Sequence, residues 1–201
     1  MPEILDVDGS PLAPESLRML EYLRTRSQEM SAVAIREKIR KAAEELESTL
    51  ESVTAAQARL HPLAGKWSIA EVVDHIAQTQ IRGTEELRHL LAGRRPPHPP
   101  VYEALRSGAG QWAPWNLLVE DLHAANRAMV GVLDGAADPI SSDAPTVRTV
   151  MVALRKIEEA RTEPQLWFSE LNWKEYALLQ RLHLLDHRTQ VKKLHAPITG
   201  Q

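Results

Sequence analysis

The sequence predicts an all-α fold, an antiparallel four-helix bundle with an additional helix and an N-terminal arm. Three observations carry that expectation. Apolar residues recur every three to four positions over long stretches, two of those stretches open on Ser or Asn with Glu three residues later, the signature of a capping box, and no stretch reads as a strand. Helices that each carry one apolar stripe bury it against one another, and the bundle is their natural arrangement.

Residues 1–13, with Pro2, Gly9 and Pro11, read as an extended arm, followed by a short helical pattern through Leu17, Leu20 and Leu23. From about Ser27 to Leu60, Ile35, Ile39, Ala42, Leu46, Leu50 and Val53 repeat at helical spacing, which predicts one long helix ended by Pro62 and Gly65. Ser68 opens the next helix, with Glu71 at the box position. Its stripe of Ile69, Val72, Val73, Ile76, Leu87, Leu90 and Leu91 runs to the proline-rich stretch beginning at Arg94. Residues 93–115 read as a long loop with one short turn of helix, and loops of that length in compact domains are often functional. A third helix is expected over about Asn116–Leu133, stopped by Gly135. After a polar turn with Pro139 and Pro145, the pattern Val147, Val150, Met151, Leu154, Ile157 predicts a fourth helix over about 146–162, closed by Pro164. Asn172 and Glu175 then cap a last helix reaching about Leu194. The domain organisation that follows is an arm with a short helix over 1–26, a helical domain over 27–195 and a tail over 196–201.

The 201 residues suffice for one domain with a substantial core. A net charge of -3 gives no wide basic field for phosphate, so nucleic-acid binding is not expected. With no cysteine there is no catalytic thiol and no thiolate ligand, and any metal must use His, Asp or Glu. The start lacks a signal-peptide core and no apolar run approaches membrane-spanning length, so residence in the cytoplasm is expected.

His183 and His187 lie four residues apart in the last helix, which puts both rings on one face, with Tyr176, Leu179, Gln190 and Leu194. Two such nitrogens can share a divalent metal when a third ligand arrives from another element. The second helix offers His75, in Trp67-Ser68-Ile69-Ala70-Glu71-Val72-Val73-Asp74-His75, at the edge of its apolar stripe beside Glu71, Arg82 and Glu86. A plain alternative for the pair is a pair of core-edge residues satisfied by Tyr176, Gln190 or water.

The pattern W-S-x-x-E-x-x-x-H with H-x-x-x-H on the final helix resembles the DinB-like four-helix-bundle family, over about residues 30–195. The resemblance implies that His75, His183 and His187 bind a divalent metal inside the bundle, and that the activity is thiol S-transfer with a low-molecular-weight thiol as cosubstrate. The family usually passes directly from its third helix to its last, whereas here residues 141–170 intervene.

Three imidazoles on a dication can activate water or hold a thiolate, which suits a hydrolase or an S-transferase acting on a small-molecule substrate, with zinc or nickel as the metal. Glu71, Tyr176 and Asp186 are the candidate general bases, Asp186 pointing away from the histidine face. Glu71 has a second reading, as the capping-box residue or an acceptor behind His75. Trp67 reads as a core anchor. Trp112 and Trp115 can lid a pocket or pin their loop, and Arg94 and Arg95 can bind a cosubstrate carboxylate or simply favour a helix end. His89, His98, His123 and His195 do not stand at a metal-ligating spacing in the sequence and read as surface or loop residues. A different class of function is a non-catalytic metal- or ligand-binding module. Leu178, Leu182 and Leu185 lie nearly opposite the histidines and need a second cover, which the additional helix, the arm or a second subunit of a homodimer can supply.

Overall fold

A computed structural model describes residues 5–62, 65–138, 140–158 and 161–199. Pro2 of the arm, Pro139 of the polar turn and Gly200 and Gln201 of the expected tail lie outside the described residues. The described chain runs α1 (Pro14–Glu29), α2 (Ala32–Leu50), α3 (Ala55–Ala58), α4 (Ile69–Leu91), α5 (Ala109–Trp112), α6 (Trp115–Val132), β1 (Val147–Glu158), β2 (Arg161–Leu171) and α7 (Trp173–Thr199). None of these helices is long and apolar enough to cross a membrane.

Side-chain caps open four of the described helices, α2, α3, α4 and α7. Ser68 accepts the Glu71 N–H and the Glu71 carboxylate returns a bond to the Ser68 N–H, so two of the orphan donors at the α4 N-terminus are satisfied. Asn172 and Glu175 form the same reciprocal pair before α7. The long helix expected from Ser27 to Leu60 is divided: Ser31 caps α2, and the Thr54–Gln57 capping box restarts the chain as α3 after a break at 51–54. The last helix extends beyond Leu194, to Thr199.

The fourth helix expected over 146–162 is instead the first arm of an antiparallel hairpin, with Val147 paired to Leu171 and Met151 to Trp167. The structure is therefore mostly helical with a small sheet, and the all-α expectation is corrected there. Thr146, Val147, Thr149, Val150 and Val152 are β-branched and stiff at χ1, which suits a pleated surface better than a helix. Of the five residues in the apparent helical stripe, Val147 and Met151 are buried, while Leu154 and Ile157 are exposed. The arm runs along the other edge of β2, where the Val7 N–H donates to the Leu166 carbonyl at 2.9 Å.

α4 packs on α6 and α7, and α2 packs on the same two helices. Their directions follow from cross-contacts. His75 meets His187 while Glu86 meets Tyr176, so α4 and α7 are antiparallel. Glu47 bonds Asn126 and Arg36 bonds Asp134, so α2 and α6 are antiparallel too. In contrast, Lys174 at the start of α7 bonds the Met30 carbonyl just before α2, and Arg188 reaches Glu45 further along, so α2 and α7 run in the same direction. The antiparallel arrangement expected from the sequence is therefore found in two of the four packed pairs, α4 with α7 and α2 with α6, and not in α2 with α7. It follows that α4 and α6 run together, and the chain between them must return along the bundle before α6 can start. Residues 92–114 do so: His98 lies against Glu85, Leu105 against His75, Ser107 against Asp74 and Gly110 against Glu71. The second cover of α7 includes α1, where Arg181 donates to the Tyr22 hydroxyl at 3.1 Å.

Candidate metal centre

α4 carries His75 in its second turn, and α7 carries His183 and His187 on one face. The three rings meet where the two helices cross. His75 Nε2 lies 3.1 Å from His183 Nε2, and His187 Nε2 lies 3.0 Å from the same atom. Ring centroids are 4.3 to 5.1 Å apart. The candidate ligand atoms of the trio all fall within 4.8 Å of one another.

The outer nitrogens decide which way the lone pairs point. His75 Nδ1 sits 2.8 Å from the Leu105 carbonyl, which can only accept, so Nδ1 carries the proton. His187 Nδ1 sits 2.7 Å from the Gln190 side-chain oxygen. In the neutral rings both Nε2 atoms then present lone pairs toward His183 Nε2. Burial favours those neutral rings. It pushes the His183 pKa well below its ordinary value, helped by the two neighbouring imidazoles, and lowers His187 to about 4. Burial also lowers His75, with Arg106 adding to the effect and the Leu105 bond opposing it. Nitrogens bound at about 2.0–2.1 Å to one ion in adjacent positions stand about 3 Å apart, so the separations of His183 Nε2 from its two neighbours fit a shared cation.

A family model of the DinB superfamily matches residues 38–190. The chain belongs to the DinB superfamily. Neither the comparison with curated proteins nor that with solved structures returned a match. The DinB superfamily is metal-associated, and three histidines this close together can bind a metal.

The other candidates stand apart from the trio. Burial pushes the Glu71 carboxyl up, but bonds from Ser68 and Gln111 outweigh it and hold the group below its ordinary value. Its second oxygen faces the Arg106 guanidinium at 3.6 Å. Tyr176 donates to Glu86, which also pairs with Arg82 at 2.7 Å, and burial followed by the Glu86 charge raises the phenol well above its ordinary 10. Among the described residues neither Glu71 nor Tyr176 bonds a ring of the trio; Glu71 faces the His61 imidazole instead, at 3.7 Å. Asp186 is exposed. The Trp67 ring lies 5.2 Å from the His75 ring, tilted by 59°, and carries Arg106 over its own face at 4.8 Å. Trp115 donates to the Val53 carbonyl and pins the loop end, while Trp112 is largely exposed.

Sequence reasoning missed the Leu105 carbonyl, a backbone group that no side-chain pattern announces.

Proposed function

We propose that His75, His183 and His187 hold one divalent metal through Nε2, with zinc or nickel as the ion, and that the protein is a metal-dependent enzyme for thiol S-transfer or hydrolysis. The single observation behind this reading is the convergence of three Nε2 atoms at 3.0 and 3.1 Å while the other nitrogens of His75 and His187 donate to oxygen acceptors. A bound dication lowers the pKa of water toward neutrality or holds a thiolate as nucleophile. The chain's own part is to keep the rings neutral by burial and to fix their tautomers. In this reading α2, α4, α6 and α7 form a four-helix bundle within a domain over 27–195, and the chain works in the cytoplasm on a small molecule, with no nucleic acid or membrane involved.

One observation favours a second reading. The candidate bases Glu71 and Tyr176 are already engaged, by Ser68 and by Glu86, which suits a binding module without turnover, acting through a homodimer. Turnover assays on zinc- and nickel-loaded protein separate the two, using electrophiles with glutathione-like, mycothiol-like and bacillithiol-like thiols, or hydrolysable esters and amides. The enzyme reading expects metal-dependent turnover that His183→Ala abolishes. Stoichiometric metal with turnover in no pairing favours the binder.

A further inference from the structure

We infer that Asp74 is a positioning residue of the trihistidine centre, acting through the crossover loop; the inference rests on the reading of that centre as a metal site. Asp74 precedes His75 on α4, about 100° around the helix, so its carboxylate turns away from the rings and toward the loop. It is 3% exposed. Among the described residues its hydrogen bonds go to two consecutive loop residues: one oxygen accepts from the Ser107 hydroxyl at 2.6 Å and the Ser107 N–H at 3.3 Å, the other from the Gly108 N–H at 3.0 Å. A buried carboxylate stripped of such donors is costly, so the charge of Asp74 and the seat of the loop are tied together.

Two glycines make that seat possible. Gly108 adopts φ +84, a left-handed turn that L side chains rarely take. At Gly110 an added Cβ would lie 2.7 Å from the Glu71 Cα and 2.9 Å from the Ala70 carbonyl oxygen, so only glycine lets the loop lie flush on α4. Arg59 clamps the far side through the Gly110 and Ala113 carbonyls.

The seated loop presents the Leu105 carbonyl to His75 Nδ1, two residues before the Ser107 anchor. That bond fixes the ring proton on Nδ1 and the ring angle, and so aims the Nε2 lone pair at the other two imidazoles. Among the described residues His183 and His187 take no hydrogen bond from the loop. Loss of the Asp74 carboxylate therefore frees Leu105 and degrades one donor of three. By reciprocity, a cation held by His75 steadies the loop.

The test uses Co2+ as probe, whose visible absorption reports its coordination, with affinity read by competition against a chromophoric chelator. Asp74→Ala is expected to weaken Co2+ binding by about 10- to 100-fold and to alter the band, and Ser107→Ala to act in the same direction more weakly. In wild type, Zn2+ is expected to slow hydrogen exchange at residues 105–113. Should Asp74→Ala fail to fold, Ser107→Ala and the wild-type exchange decide. Unchanged affinity and band in the folded variants, with no metal-dependent protection of the loop, overturns the inference even if the apoprotein Tm falls. Wild type that takes up no Co2+ overturns the reading of the centre instead.

Discussion

His75 and His183 sit on antiparallel helices, 108 residues apart in the chain, with their Nε2 atoms 3.1 Å apart. Nothing local forces that meeting. It depends on the register of α4 against α7, which the Glu86–Tyr176 pair holds at the opposite end of the contact.

That pair can be separated from the centre by mutation. Tyr176→Phe leaves Glu86 buried with Arg82 as its remaining partner, and is expected to cost about 1–3 kcal/mol in urea unfolding while metal content stays unchanged. Loss of metal in this variant would place the phenol in the centre itself.

The hairpin makes an independent prediction. Trp167 is fully buried in β2, opposite Met151, and its indole N–H donates to the Ser169 hydroxyl. Trp167→Ala is expected to lower stability by about 3–5 kcal/mol. A cost below about 1 kcal/mol would contradict the packing of the hairpin against the helices.

Asp138 links stability to pH. Its carboxylate pairs with buried Lys174 and accepts the Ala32 N–H at 2.7 Å, and the lysine bond, then the backbone bond, holds its pKa below the ordinary 3.8. A carboxyl with a depressed folded-state pKa adds stability that is fully present above its unfolded value and is lost as pH falls through the folded one. Asp138→Asn is expected to cost about 1–2 kcal/mol at pH 7, since the group is partly exposed and screened. Unfolding curves of the two proteins should converge below pH 3.8, and a gap that persists in acid would argue against the pair.

The parts of the fold encoded by local signals were legible in the sequence. The Ser68–Glu71 and Asn172–Glu175 boxes start α4 and α7 where expected, and Ile69, Val72, Val73 and Ile76 are buried as their spacing implies. The same stripe put His75 at the edge of the apolar face of its helix, and the resemblance to the DinB-like family implied that it joins the pair on α7. It failed at 147–158, where the helical spacing of Leu154 and Ile157 was accidental and pairing with 161–171 decides the conformation, a non-local contact that periodicity cannot register. The break in the expected 27–60 helix was readable, since Thr54-Ala55-Ala56-Gln57 is a capping box. The loop's part was not, because its key group is the Leu105 carbonyl and its seat depends on the path from α4 to α6.

Metal content of protein purified without added metal, set beside that of His183→Ala, decides whether the three imidazoles hold an ion. His183 is the nitrogen that both other rings approach. One zinc or nickel per chain is expected in wild type, little or none in the variant, and a rise in Tm on adding that ion to the wild-type apoprotein alone. Metal-free wild type whose stability does not respond to either ion, with His183→Ala indistinguishable from it, would contradict the account.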